Sequence, residues 1–85
     1  MYSERFGREV RITHHAMQRM RTRFIADAEL EILVEEGQTR YKDEQRLWIA
    51  HHFEERLDNL LCAPVVLEEN LLIVKTVMHH FSWEG

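Results

Sequence analysis

The feature that most limits what this chain can fold into is a change of apolar period at Gly37. Before that glycine, apolar side chains recur every three or four residues, the spacing of one helix face. After it they alternate with polar ones, the spacing of a half-buried strand. Helices first and sheet second is an α+β order.

Thr13 is the expected N-cap of a first helix over residues 14–23, with Ile12 and Met17 as a hydrophobic staple across it. At 100° per residue, Ala16, Met17, Met20 and Phe24 fall on one apolar stripe. His15, Arg19 and Arg23, spaced by four, line one edge of that stripe, while Gln18, Arg21 and Thr22 face water. A second helix is expected over residues 27–36, capped by Asp27 and stopped by Gly37 in a left-handed conformation. Leu30, Leu33 and Val34 supply its buried stripe, and Glu29, Glu31, Glu35 and Glu36 its wet side.

Beyond Gly37, residues 38–43 and 45–53 read as a hairpin, and residues 54–59 as a loop. Residues 60–69 form a third strand, in which Pro64 points to an edge position or a bulge. Residues 71–81 form a fourth. "VRIT", just before the first helix, is a short strand or an extended lead-in. The expectation is a single small domain over residues 1–85 with two N-terminal helices packed on one face of an antiparallel sheet of about four strands. Met17, Met20, Leu30, Leu33, Val34, Ile49, Val74 and Val77 are the expected core, although Val74 and Val77 have opposite strand parity.

Eighty-five residues suffice for one core, with roughly 60–65% of the unfolded surface buried. A core of that size is marginal. With one sheet face uncovered, a homodimer or a partner-bound form is expected. Cys62 is the only cysteine, so no disulfide can form within the chain, and its apolar neighbours suggest a buried thiol. The first residues lack the apolar stretch of a secretory signal, and no apolar run is long enough to span a membrane. A cytoplasmic protein without membrane contact is expected.

Charge is uneven. Residues 1–25 hold six arginines and two acids, giving +4, whereas residues 26–85 hold five basic and thirteen acidic residues, giving −8. Such a chain can meet an anionic ligand with one surface and repel it with the rest. The plainer reading of the arginines is a solvated helix face.

Three histidine pairs, His14-His15, His51-His52 and His79-His80, raise the question of zinc. Neighbours on a strand point to opposite faces, so each strand pair offers one ligand to a given site. HExxH and CxxC are absent. A site built from His15, His51 and His79 is the remaining metal reading and ranks last; no metal and no cofactor are expected.

"HAMQRMRTR", residues 15–23, followed by "FIADAELEILVEEG" and later by "IVKTVM", resembles the small bacterial domains grouped as domain-of-unknown-function family 4258. Their signature is H-A-x-x-R-M-x-x-R, an isoleucine-led second helix ending in glycine, and a C-terminal strand. The resemblance runs from Ile12 to about Met78, with Ala26 in place of the usual Ser or Thr and Phe24 where a small residue is common. It implies a relationship to RelE-like and barnase-like proteins, among which are metal-independent ribonucleases and toxins of toxin–antitoxin pairs. Its polar signature positions are His15, Arg19, Arg23 and Thr76.

That implied chemistry asks for a base, an acid and cations around a phosphate. Histidine can be acid or base near neutrality, and arginine offers phosphate a two-pronged fork. His15 and Arg19 are the candidate catalytic residues, one helical turn apart, with Cβ atoms about 5–6 Å apart. Arg23, Lys75, Thr76 and His79 are the candidate substrate-binding residues. Tyr41 and Trp48 are candidates to stack a base. The competing readings are structural: a polar helix edge hydrogen-bonded to the sheet, an outward Lys75, and Tyr41, Trp48, Phe81 and Trp83 as core or dimer contacts. The expected function is a RelE-like ribonuclease or RNA-binding toxin, with RNA and an antitoxin-like protein as partners. The alternative is a non-catalytic interaction domain.

Overall fold

The computed structural model describes residues 1–57 and 60–80. Phe81 and Trp83, the end of the expected fourth strand and part of the expected loop at residues 54–59 lie outside them. The elements in chain order are β1 (Tyr2–Ser3), β2 (Arg8–Ile12), α1 (His14–Thr22), α2 (Asp27–Glu36), β3 (Gln38–Tyr41), β4 (Arg46–His52), β5 (Leu60–Leu67) and β6 (Leu71–Val74). The strands form one six-stranded sheet in the order β1-β2-β6-β5-β4-β3. All neighbours are antiparallel except β2 and β6, which run parallel with Val10 opposite Leu72 and Ile12 opposite Val74.

This corrects the expected architecture of two helices on a four-stranded antiparallel sheet: the sheet is mixed and has six strands. The reason is local weakness of signal. β1 is two residues long, and "REVRI" offers only Val10 and Ile12 as alternating apolar positions. A parallel partner some sixty residues away leaves no hairpin pattern in the sequence.

One face of the sheet and both helices share a single core. Leu30, Leu33 and Val34 of α2 pack with Leu47, Ile49, Val65, Leu72 and Val74, and all are buried. From α1 only Ala16 and Met20 are buried. Met17, expected in the core, is 45% exposed, and Phe24 is 88% exposed. Phe24 leaves the stripe because the helix has already ended. Its φ is +54°, its N–H reaches Arg21 O at 3.4 Å and the next N–H, of Ile25, reaches Met20 O at 2.8 Å. These are the two bonds of a Schellman stop, and Ile25 rather than Phe24 packs beside Met20.

Two further expectations about helix ends change. The N-cap of α2 is Ala26, not Asp27; Glu29 compensates by accepting from Ala26 N at 2.8 Å. Gly37 closes α2 with φ −72°, not left-handed. It is required for space: a Cβ there would meet Leu33 O, sit 2.6 Å from Ile49 Cγ2 and sit 2.9 Å from Ala50 O. Glu35 is not a solvated residue. It accepts from Ser3 Oγ at 2.6 Å and Glu4 N at 2.7 Å, while Arg5 Nη1 donates to Gly37 O at 2.8 Å and Val34 O at 3.1 Å. The turn after β1 thereby caps the C-terminal end of α2.

The last strand carries a bulge. Val65, Val66 and Leu67 pair with Val74, Ile73 and Leu72, yet Cys62 pairs with Met78. A step of three residues on β5 is therefore met by four on the other side, so one extra residue lies between Val74 and Met78. The extra residue reverses parity, and Val74 and Val77 are both fully buried. It also accommodates Pro64 in a central strand. Pro64 O accepts from Lys75 N at 3.1 Å, so the proline nitrogen faces the same, bulged side, where the ladder is already interrupted.

Candidate functional site

Helix α1 is clipped to the bulge at both ends. At its start Thr13 N–H donates to Val74 O at 3.2 Å and Thr13 Oγ1 donates to Lys75 O at 3.0 Å, while the same hydroxyl accepts from Ala16 N at 3.1 Å. At its end Arg23 Nη1 donates to Val77 O at 2.6 Å. The helix thus lies along the bulged strand with its solvent side uncovered.

An open groove of about 670 Å³ borders the C-terminal end of α1. Arg19, Thr22, Arg23 and Phe24 line one side, Arg56 and Leu57 another, and His79 and His80 the third. Among the described residues no acidic side chain lines it. The His79 and His80 rings lie 4.7 Å apart between centroids. Phe24 and His80, with φ of +54° and +52°, are the two non-glycine residues with positive φ among those described, and both border this groove. Histidine tolerates that region better than phenylalanine, for which it is strained. Leu57 and Phe24, both almost wholly exposed, give the groove an apolar rim.

Arg56 builds the junction beneath. Its Nη2 donates to Arg23 O at 3.0 Å and its Nη1 to Phe24 O at 3.0 Å, and Nη1 also meets both Glu29 oxygens at 3.2 and 3.3 Å. One guanidinium therefore satisfies carbonyls just past the end of α1 and pairs with the first-turn carboxylate of α2.

The candidate residues read from the sequence divide three ways. Arg19, Arg23 and His79 meet in the groove. His15 is exposed on α1 one turn earlier and does not line it. Thr76 lies in the bulge, half-buried, and Lys75 is exposed in a different hollow, with Lys42, Arg46 and Trp48. Arg23 is bonded to a backbone carbonyl, as the structural reading of the helix edge has it, while Arg19 is exposed. Sequence reasoning gave no role to Arg56, Leu57 or His80, turned Thr22 to water, and placed Phe24 on the apolar stripe of the first helix. The phenylalanine in a position where the family favours a small residue was the one available signal.

Among the described residues no group of three His, Cys, Asp or Glu side chains is placed to hold a metal ion, and His15, His51 and His79 form no such group. Cys62 is buried, and burial pushes its thiol up to about 12. No helix among the described residues is long and apolar enough to cross a membrane.

The signature His15-Ala16-x-x-Arg19-Met20-x-x-Arg23 separates physically into a buried half and an exposed half. Ala16 and Met20 enter the core and Arg23 binds the bulge, whereas His15 and Arg19 face solvent. Comparison with curated proteins and with solved structures returns no match, so a RelE-like relationship is not shown. The family comparison does return one: residues 12–79, most of the chain, match the domain of unknown function DUF4258, and the chain belongs to that family.

Proposed function

We propose that this chain is a toxin-type RNA-binding protein of the bacterial cytoplasm that cleaves RNA without a metal. The observation that carries the reading is the groove itself, in which Arg19, Arg23, Arg56, His79 and His80 converge and, among the described residues, no acidic side chain joins them. Cleavage of this kind needs a base to take the 2′-hydroxyl proton as that oxygen attacks the neighbouring phosphorus. It also needs an acid to protonate the departing 5′-oxygen, leaving a 2′,3′-cyclic phosphate. His79 and His80 are the groove's proton carriers, and histidine is suited to both roles near neutrality. Arg19 is the exposed guanidinium that takes the phosphate. Arg23 and Arg56 hold the walls while adding positive field. His15, one turn before Arg19, meets the next phosphate along the strand.

The test is incubation of the purified protein with labelled single-stranded RNA in EDTA, beside Arg19→Ala and His79→Ala. Expected are 2′,3′-cyclic phosphate ends from the wild type, their loss in both variants, and melting temperatures that stay together. Wild-type protein that leaves a mixed-sequence RNA pool intact sinks the catalytic reading.

A second reading is favoured by Phe24 and Leu57, two large apolar side chains left in solvent at the groove rim. In it the groove receives a protein, either an antitoxin-like partner or a second copy of the chain. Light scattering decides between a monomer and a homodimer, and Phe24→Ala with Leu57→Ala disperses the dimer if this rim forms it.

A further inference from the structure

The outer face of the sheet, turned away from both helices, has its own charge pattern. Residues 26–85 contain five basic side chains: Arg40, Lys42, Arg46, Arg56 and Lys75. Four of the five surround Trp48. Lys42, Arg46 and Lys75 line one hollow beside the indole, floored by Pro64 and Val66, and Arg40 and Lys42 line a second hollow on its other side with Tyr41. Their clustering follows from register. Arg40, Trp48 and Pro64 are cross-strand partners in one row of β3, β4 and β5. Arg46, Val66, Ile73 and Arg11 form the next row, through β6 to β2. Lys75 joins them because it stands at the start of the bulge. Arg46 also holds Asp43 at 2.6 Å. The chain as a whole carries −4, so this face departs in sign from the molecule that bears it.

A sheet face bearing a 45% exposed tryptophan between basic side chains has a definite chemistry. Cations track a phosphate backbone, and the indole offers a π-face to unpaired bases. An acidic protein segment would match the charge but would leave the indole without a flat partner. A duplex would match the charge but would hide its bases from the indole.

We infer that the outer sheet face around Trp48 is a binding platform for single-stranded nucleic acid, with Trp48 stacking a base and Lys42 and Lys75 contacting phosphates on either side. It deepens the RNA reading proposed above, naming the strand as unpaired, but stands on different residues, so either can fail alone. The groove on the helix side performs the chemistry, and this face holds a separate length of strand.

The test uses the full chain and a fluorescein-labelled ten-nucleotide oligouridylate, followed by anisotropy, with a polyglutamate peptide and a duplex RNA as competitors. Lys42→Glu with Lys75→Glu is expected to weaken binding at least tenfold and to flatten its dependence on salt. Trp48→Ala is expected to weaken it about tenfold, the worth of one stacked base. Trp48→Phe, which keeps a ring and guards against a folding artefact, retains most of the affinity. Cleavage at saturating RNA is unaffected by the lysine variants, whereas Arg19→Ala loses cleavage. Oligouridylate binding with no cleavage by any variant would support this platform and count against the groove reading. No oligouridylate binding, affinity indifferent to all three substitutions, or displacement by polyglutamate or duplex as readily as by single strand would overturn it.

Discussion

Helices α1 and α2 have almost the same length and opposite roles. Three side chains of α2 are wholly buried, and both its ends are gripped by distant residues, Arg56 on Glu29 and the Ser3–Arg5 turn on Glu35. Two side chains of α1 are buried, Ala16 and Met20, and its attachment at both ends is polar: Thr13 and Arg23 on the backbone of one bulged strand. The difference teaches which helix is scaffold and which presents chemistry. A helix anchored through backbone carbonyls at its two ends keeps a full face for ligands.

The largest expected effect tests this contrast directly. Leu33→Ala should cost about 3–5 kcal/mol because it empties a fully buried site between α2 and the sheet. Met17→Ala on α1 should stay within about 0.5 kcal/mol. Equal losses in urea melts would erase the distinction between the helices.

A medium effect divides α1 itself. Arg23→Ala removes a charged hydrogen bond from the bulge carbonyl of Val77 and should destabilise by about 1–3 kcal/mol. Arg19→Ala should leave stability nearly unchanged and lose RNA cleavage. If thermal melts show Arg19→Ala to be the more destabilising, Arg19 belongs to the scaffold and the groove loses its phosphate ligand.

A smaller effect, of opposite sign, is expected at the end of α1. Phe24→Gly relieves a left-handed phenylalanine and should raise stability by up to about 1 kcal/mol while reducing activity at the groove. A variant that is both more stable and fully active would show that the exposed ring does nothing for function.

The smallest effect sharpens the comparison from outside the helices, at the β3–β4 turn. Asp43 accepts from Arg46 Nε and from the N–H groups of Gln45 and Arg46, and these bonds lower its carboxyl to about 2. A lowered folded-state pKa means that the contribution is complete above the ordinary value of 3.8 and is lost as pH falls toward 2. NMR titration should find an Asp43 midpoint near 2, with turn resonances moving in step and helix resonances still. A midpoint near 3.8 would remove the Arg46 contact from the solution structure.

How much of this was readable in advance depended on the range of the interaction. Thr13 as a cap, the stripe of Leu30, Leu33 and Val34, and the alternation through Leu47 and Ile49 are local patterns, and each is found in the structure. The parallel β2–β6 pair is not local. Nor is the register that turns Lys75 away from Arg19 while bringing His79 to it, because one extra residue in a bulge reverses every side chain that follows. Glu29 and Glu35 looked solvated because their partners, Arg56 and Ser3, are distant in sequence. Phe24 fitted the helical stripe by angle alone, and the stop that precedes it depends on backbone conformation rather than on hydrophobicity.

The parallel junction also sets an order of assembly. Val10 and Leu72 are neighbours across it, yet they stand sixty-two positions apart in the chain. The hairpins among β3, β4 and β5 close short loops and can form early; the β2–β6 contact must wait for the last strand to leave the ribosome. Until then β2 is a strand edge without its partner, the kind of edge to which other chains add. Glu9 and Arg11, alternating with Val10 and Ile12 along that edge, charge one of its faces throughout the wait.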